Sequence, residues 1–512
     1  MNNTDGTQNI FLNLVGPNDF CSRMRLYINK NYSEITTTGS FYDQAWSTIL
    51  SSKPDLLLVD IGRQLKQRDS ALLRTVIENT RERLGKDVYV ALVLSSPHHL
   101  LMAGDLLFES DTSLKPSGLI DSLLAVPPPE AIDSPGLEQQ LDNLITLIKH
   151  DLHRKSMGNP ALPALAESGW AQSMADPKSR NLWMRWLPRY ASYLNESPLI
   201  VGETGTGKTN LARAVHFLSQ RKGSFIGITP RDFSSSELVQ AELFGSVGGA
   251  YTDAVDRWGL VKSAEGGTLF IDELQSIDKD LQGKLITFIE NKNYRRVGSP
   301  ESNKADVRFI FASNRNLYEM MEQSVLRDDF GYRLERVLLY LPPLHERRLD
   351  ITAALCFGLA KIHRQRDIFH KVEGFSSEAY RALYFQRWPG NLRQLENCVA
   401  KLVERAEMER NSTVPVKAVS EVLEISNREF QLDRKEIYAK TGRDFSQYVL
   451  ANEVDNLSQA VQVFSDKLRE NALTSCMGDQ TLAADMIGDS QPLLELARRS
   501  ILRTKKHEPG PT

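Results

Sequence analysis

The sequence predicts an α/β fold built from two doubly wound units, followed by an all-α C-terminal segment. In residues 1–130, and again in residues 179–346, short apolar strands alternate with helical stretches, a pattern typical of parallel sheets covered by helices on both faces. A glycine-rich motif beginning at Gly202 lies between a strand and a helix of the second unit. At 512 residues, the chain has the length of about three domains.

Changes in pattern divide the chain into six segments. The turn cluster at 127–129 closes the first unit, whose strand candidates are Ile10–Val15, Asp55–Asp60, Val88–Leu94 and Ile120–Val126. The predicted segments are 1–130 (the first α/β domain), 131–178 (a linker helix and loop), 179–346 (the second α/β domain), 347–425 (a helical domain), 426–455 (a linker) and 456–512 (a small helical domain).

Composition indicates an ordinary soluble protein of the cytoplasm. The hydrophobic fraction is 41%, the charged fraction is 25%, and the formal net charge of −3 gives no chain-wide signature of nucleic-acid binding. The four cysteines have no metal-site or disulfide spacing. The sequence shows neither a signal peptide nor an apolar run of about 20 residues, so we expect no membrane contact.

The motif at 202–209 predicts a phosphate-binding loop for ATP. The glycines allow backbone N–H groups to surround phosphate oxygens, and the start of the next helix adds partial positive charge. Lys208 is expected to reach the β- and γ-phosphates, and Thr209 to bind Mg²⁺. The predicted nucleotide-binding residues are Gly202, Glu203, Thr204, Gly205, Thr206, Gly207, Lys208 and Thr209.

Two adjacent acids end the apolar strand candidate Thr268–Ile271. In a phosphate-loop enzyme, Asp272 would complete the Mg²⁺ shell and Glu273 would orient and polarise the attacking water. The pair alone could be a turn, but its position in the same α/β unit as the phosphate loop favours catalysis.

At this point the chain resembles the bacterial enhancer-binding proteins, the AAA+ activators of sigma-54 RNA polymerase. The resemblance runs from about residue 195 to 405. The matching motifs are Ala241–Gly245, Glu265–Glu273, Arg296–Gly298, Asp306–Arg315, Leu341–Arg348 and Trp388–Glu396.

The resemblance implies roles for four further residues. Asn314 is similar to the first sensor of the γ-phosphate, and Arg393 to the second sensor, which reaches the phosphates from the helical lid, residues 347–425. Arg327 and Arg333 resemble arginine fingers supplied by a neighbouring subunit. Since fingers act in trans, the resemblance implies a homo-oligomeric ring, usually a hexamer.

The chain departs from the family in two segments. The loop that engages sigma-54 carries Gly-Ala-Phe-Thr-Gly-Ala in the family, and here its residues are Gly249, Ala250, Tyr251, Thr252, Asp253 and Ala254. Asp253 places a Cβ and a negative charge where a flexible glycine is expected. The family asparagine that restrains the catalytic glutamate is replaced by Thr229-Pro230, so that restraint is absent or rebuilt.

The first unit is similar to a response-regulator receiver domain of two-component systems. Asp60 lies at the end of the third strand of such a domain, where a phospho-acceptor would be, and Ser95 or Ser96 after the fourth strand suits the phosphate-sensing hydroxyl. The acidic pair and the lysine that support phosphorylation are missing at 16–19 and 125–127. We therefore expect a pseudo-receiver that responds to a protein or ligand. Phosphorylation of Asp60 by a sensor kinase is the alternative, and Asp60 could also be a strand-end cap.

The C-terminal segment resembles a Fis-type helix-turn-helix over residues 478–488. Its recognition helix would present Ser490, Gln491, Arg498 and Arg499 to DNA. Basic residues are sparse until the end of that helix, which favours phosphate contacts over base readout. A helical dimerisation module is the alternative.

These features together predict an ATPase that activates transcription from enhancer-like DNA sites by remodelling sigma-54 RNA polymerase. Two alternatives stay open. One is a regulator that binds ATP and DNA but acts on the housekeeping polymerase. The other is an AAA+ remodelling ATPase with a partner outside transcription.

Overall fold

The computed structural model describes most of the chain in ten stretches. The described residues are 9–62, 67–85, 88–109, 117–156, 175–251, 254–366, 370–427, 440–446, 457–475 and 487. Within these stretches, no helix is both long and apolar enough to cross a bilayer.

The first sheet has five parallel strands in the order β2-β1-β3-β4-β5, one of the common doubly wound orders. Its strands are β1 (Ile10–Val15), β2 (Ile35–Ser40), β3 (Leu56–Ile61), β4 (Tyr89–Leu94) and β5 (Ser122–Ala125). Its helices are α1 (Asn18–Asn31), α2 (Ala45–Ser52), α3 (Gln67–Leu84), the 3₁₀ turn Pro97–His99, α4 (Leu100–Leu107) and α5 (Leu137–Ser156).

Helix α5 packs with the elements of the first sheet, although the sequence pattern assigned its residues to the predicted linker segment 131–178. Its buried face, which includes Leu141, Leu144 and Ile148, joins the core formed by β1 and α1. We use "N-terminal unit" for the described residues of 9–156.

The second sheet also has five parallel strands, in the order β14-β6-β13-β10-β7. Together the two sheets confirm the predicted α/β class. The strands are β6 (Leu199–Val201), β7 (Phe225–Ile228), β10 (Thr268–Ile271), β13 (Arg308–Ser313) and β14 (Leu338–Tyr340). Two antiparallel hairpins extend from this domain, one of β8 (Gly245–Ser246) with β9 (Arg257–Trp258), the other of β11 (Asn293–Tyr294) with β12 (Asn303–Lys304).

Helices cover the second sheet and continue into the lid. The helices around the sheet are α6 (Pro177–Asn181), the π-helical turn Leu182–Trp186, α7 (Leu187–Ala191), α8 (Lys208–Leu218), α9 (Ser236–Phe244), α10 (Leu260–Ser263), α11 (Lys279–Asn291), α12 (Leu317–Glu322) and α13 (Asp328–Glu335). Short 3₁₀ turns lie at Pro230–Asp232, Leu274–Ser276 and Leu344–Glu346.

The lid contains four long helices and a two-stranded parallel ladder. These elements are α14 (Leu349–Gln365), β15 (Gly374–Phe375), α15 (Ser377–Phe385), α16 (Asn391–Met408), β16 (Thr413–Val414) and α17 (Val416–Asn427). Residues 440–446 are helical, and the helix α18 (Leu457–Ser475) packs against α15. The division into six segments stays a prediction.

Candidate functional site

The phosphate loop connects the carboxyl end of β6 to the first turn of α8. Gly205 and Gly207 have φ angles of 80° and 105°, in the left-handed region that glycine adopts without strain. Helix α8 begins at Lys208, directly after Gly207. Its first turn therefore points free backbone N–H groups toward the loop, as an anion site requires.

Lys208 lies folded against its own loop. Its ammonium donates to the carbonyl oxygens of Gly202 and Glu203, at 2.8 and 3.0 Å. Burial lowers the pKa of Lys208, and the neighbouring carboxylates of Asp272 and Glu273 oppose that shift. The charge is thus held at the loop by weak neutral acceptors, which phosphate oxygens can replace.

The carboxyl ends of β6, β13 and β10 bring the predicted catalytic residues to one edge of the sheet. Asp272 and Glu273 follow β10, and Asn314 follows β13. The backbone N–H of Asp272 donates to the carbonyl oxygen of Ile228 at 3.0 Å, which fixes the end of β10 beside β7. This edge is where open parallel sheets bind their ligands.

A cavity of about 290 Å³ lies at this edge, between the sheet and the lid. Its volume is close to the lower end of the usual range for small-molecule sites. The residues that line it are Thr204, Gly205, Gly207, Lys208, Thr209, Asn210, Asp272, Glu273, Asn314, Leu392, Arg393 and Glu396. The structure therefore brings the predicted loop, acids and both sensors together, though their individual roles stay predictions.

The lid contacts the phosphate loop through the start of α16. The buried Asn391 amide donates to the Glu203 carboxylate and to the Thr204 carbonyl oxygen, both at 3.0 Å. The backbone N–H of Leu392 donates to the carbonyl oxygen of Gly205 at 3.0 Å. A Cβ on Gly205 would lie 2.2 Å from the Gly390 carbonyl oxygen, so only glycine fits here.

The two predicted arginine fingers lie outside the cavity of their own chain. Arg327 pairs with Asp329 at 2.7 Å, and Arg333 pairs with Glu290 at 2.9 Å. Both pairs are at the surface. Their position agrees with a role at a neighbouring subunit, which stays a prediction.

The predicted sigma-54 loop projects from the β8–β9 hairpin. Its base is closed by backbone bonds from Gly249 to Ala254 and from Ala254 to Tyr251. The second hairpin supports it, since the backbone N–H of Val247 donates to the carbonyl oxygen of Val297 at 3.1 Å. Thr252 and Asp253 fall outside the described residues.

Asp60 is enclosed at the end of β3. Its carboxylate accepts a hydrogen bond from the Ser95 hydroxyl at 2.6 Å, and only 3% of the residue is exposed. A Cβ on Gly62 would lie 2.6 Å from one of its oxygens. Burial raises the pKa of Asp60 to about 6, and the bond from Ser95 opposes that shift. The pseudo-receiver role of this unit stays a prediction.

Three residues at the site have no role in the sequence reasoning. Asn391 lies within the motif Trp388–Glu396 and contacts the phosphate loop, and Glu396 lines the cavity one helical turn beyond Arg393. Arg231 lies 3.7 Å from the Glu273 carboxylate. No local pattern predicts Arg231 at this place, because its side chain reaches across from the turn after β7.

The predicted DNA-contacting residues lie beyond the described part of the chain. Ser490, Gln491, Arg498 and Arg499 are all outside it, as is nearly all of the helix-turn-helix segment 478–488. The DNA-binding hypothesis is therefore carried by the sequence alone.

Four features define a phosphate-loop NTPase of the AAA+ class. They are a parallel sheet covered by helices, a phosphate loop, two acids at the end of the adjacent strand, and a helical lid. Family comparisons narrow this class further. Residues 183–340 match the sigma-54 interaction domain, and residues 345–430 match an AAA+ ATPase lid domain. These two matches confirm the predicted resemblance to the sigma-54 activators over the central part of the chain.

Individual relatives cover the same central part. The alginate biosynthesis transcriptional regulatory protein AlgB of Pseudomonas putida is 42% identical over 221 residues, which are 43% of this chain and 48% of AlgB. The regulatory protein LuxO of Vibrio parahaemolyticus is 40% identical over 213 residues, which are 40% of this chain and 46% of LuxO. The chain thus spans about half the length of the curated relatives it matches.

A similarity to a solved structure extends over more of the chain. The crystal structure of NtrX from Brucella abortus in complex with ADP aligns with 97% of this chain and 100% of the NtrX chain. The sequence identity is 21% and the TM-score is 0.46.

Proposed function

We propose that this protein is an ATPase that activates transcription by sigma-54 RNA polymerase. The observation that carries the proposal is the cavity in which Lys208, Glu273 and Arg393 meet, within a domain of the sigma-54 interaction family. We place its action in the cytoplasm, at enhancer-like DNA sites bound through residues 456–512.

The site residues suit hydrolysis of ATP. Lys208 leaves its carbonyl partners to neutralise the β- and γ-phosphates, while the Thr209 hydroxyl and the Asp272 carboxylate are the groups that would hold Mg²⁺. That ion would neutralise charge on the phosphates. Glu273 accepts a proton from the attacking water, and Asn314 orients it.

The surface position of Arg327 and Arg333 supports a ring. A guanidinium that reaches the neighbouring site neutralises charge on the transferring phosphoryl group, a contribution worth roughly 10³–10⁵ in rate in other NTPases. We therefore propose a homo-oligomeric ring, with a hexamer as the expected state. The change in the cavity on hydrolysis would move the loop at 249–254 against the polymerase.

Capture of sigma-54 with an ATP transition-state analogue tests this function. We expect the wild-type chain to retain sigma-54 only with the analogue, and Asp253→Gly to retain as much or more, because glycine restores backbone freedom. Tyr251→Ala should retain none while hydrolysing ATP normally. Equal capture by the wild type and Tyr251→Ala would contradict the proposal.

Action on the housekeeping polymerase is the second function to separate. The sequence observation that favours it is Asp253, whose charge must be solvated or paired at any interface. In that case the wild-type chain would bind promoter DNA but capture no sigma-54 with any nucleotide.

A further inference from the structure

The N-terminal unit and the lid share one hydrophobic core. Helix α4 packs on α14 so closely that a Cβ on Gly104 would lie 2.2 Å from the carbonyl oxygen of Cys356. Buried residues of both units, such as Leu101 and Leu355, belong to the same cluster. Contact of this kind between two helix backbones fixes the two units relative to each other.

A buried arginine extends this contact toward the ATPase domain. Arg180, in the short helix α6, is fully buried, and burial lowers the pKa of its guanidinium to about 10. It makes five hydrogen bonds, four of which join α6 to β5 and α5 of the N-terminal unit. Its acceptors are the Ser122 hydroxyl, the Asn143 side-chain oxygen and the carbonyl oxygens of Leu123, Gln140 and Ala175.

The same short helix contacts a buried carboxylate of the lid. Asp350 accepts a hydrogen bond from the backbone N–H of Asp176 at 2.9 Å, and another from the Ser179 hydroxyl. Its second oxygen also accepts from Arg347 at 3.1 Å. Both Arg347 and Asp350 are about 1% exposed, so water does not screen this pair.

Arg347 ends the series of contacts at the phosphate loop. Its guanidinium donates to the carbonyl oxygen of Thr206 at 2.7 Å and to that of Pro342 at 2.9 Å. Thr206 lies between Gly205 and Gly207, whose positive φ angles set the shape of the loop. A displacement of Arg347 would therefore change the positions of the N–H groups that surround the phosphates.

We propose that Arg180, Ser179 and Asp350 are positioning residues for the phosphate loop, through which docking of the N-terminal unit sets nucleotide affinity in the same subunit. This inference rests on the proposed nucleotide site. Asp350 holds Arg347 in place, and Arg180 holds the helix that orients Asp350. Undocking of the N-terminal unit would remove four of the five acceptors of Arg180, loosen α6 and release the loop.

Binding of a fluorescent ATP analogue to the full-length chain tests the proposal. Ser179→Ala removes one donor to Asp350 without adding volume, and Arg180→Met removes the contacts to β5 and α5. We expect the Kd to rise about 3- to 10-fold in Ser179→Ala and at least as much in Arg180→Met. The number of nucleotides bound per chain should stay that of the wild type. The substitution shifts the loop in every molecule, so it weakens every site and removes none.

Arg81→Met is the matched control. Arg81 is also largely buried and donates to the Val88 and Leu119 carbonyl oxygens and to Asp121, but these partners all lie within the N-terminal unit. Its loss should leave the Kd within about 2-fold of the wild-type value. If Arg180→Met does not fold, Ser179→Ala and Arg81→Met carry the comparison.

The outcomes separate the two proposals. Three results would overturn the positioning role while nucleotide binding stands. The Kd could equal the wild-type value in both Ser179→Ala and Arg180→Met, or these variants could lose binding stoichiometry with no change in Kd. The third result is a rise in Kd in Arg81→Met as large as in Arg180→Met. If the wild-type chain itself binds no nucleotide, the proposed function fails, and the positioning role fails with it.

Discussion

The guanidinium of Arg231 lies 3.7 Å from the carboxylate of Glu273. Arg231 belongs to the 3₁₀ turn that starts at Pro230, directly after β7, at the place where the family has its restraining asparagine. The side chain is 76% exposed, so the contact is an ion pair at the surface of the cavity. A cation at this distance competes with an attacking water for the carboxylate oxygens.

Arg231→Ala is therefore expected to raise the basal turnover of ATP. Because exposed ion pairs are worth about 0–1 kcal/mol, the rise in kcat should be about 2- to 5-fold, with KM unchanged. Salt screens such a pair, so added salt should raise the wild-type kcat and leave the variant unchanged. Arg405→Ala, which removes an ion-paired arginine on α16 that does not line the cavity, is the control. An unchanged kcat in Arg231→Ala would contradict this role.

Substitutions of Lys208 and Glu273 should separate nucleotide binding from ATP turnover. Lys208→Ala removes the charge that faces the phosphates, so we expect nucleotide binding to be lost. Glu273→Gln keeps the shape of the site and should bind ATP normally, with turnover reduced by about 10²-fold or more. Equilibrium binding and phosphate release measure the two effects. Near wild-type hydrolysis by Glu273→Gln would show that another group activates the water.

The arginine fingers can be tested by mixing subunits. Arg327→Ala and Arg333→Ala should each lower turnover by about 10³-fold while ATP affinity stays near that of the wild type. Mixing either variant with Glu273→Gln should restore part of the activity, because an intact finger then meets an intact acid at some interfaces. Formation of mixed rings must be verified by native mass spectrometry. Mixed rings without activity would argue against fingers in trans.

Asp60→Asn should leave transcription output nearly unchanged but stabilise the fold. The pKa of the buried carboxyl is raised from 3.8 to about 6, so ionisation costs the folded state stability as pH rises from about 4 to 6. Above pH 6 the asparagine variant should be more stable by about 1–3 kcal/mol, and near pH 3 the two should match. Urea unfolding at several pH values measures this. Loss of activation, together with labelling of the wild type by acetyl phosphate, would instead show a phospho-acceptor.

Local sequence patterns were sufficient to predict four of the five strands of the first sheet and the nucleotide motif, but the edge strand of that sheet was missed. The run Ile35–Ser40, in which three of six residues are threonines, forms the edge strand β2, where only Ile35 and Ser40 are buried. Its apolar content is too low for a strand of a buried parallel sheet to be recognised. The phosphate loop and the two acids were predictable because their chemistry requires fixed residue types at short spacing.

Contacts between distant segments could not be predicted. Arg180 is bound to residues from β5, α5 and its own loop, and it carries no motif that would distinguish it from a surface arginine. The same holds for Arg231, and for Asn391, which meets Glu203 across 188 positions of sequence. Such roles depend on how the units pack, because the residues next to a polar side chain in sequence do not specify which distant residues will contact it.

Promoter opening by sigma-54 polymerase tests the central claim most directly. With ATP, the wild-type chain should make the DNA near the transcription start reactive to permanganate. Thr252→Ala should hydrolyse ATP at the wild-type rate without opening the DNA, since the altered loop no longer transmits the cycle to the polymerase. Opening by Thr252→Ala equal to that of the wild type, or none by an ATP-hydrolysing wild-type chain, would contradict the proposed function.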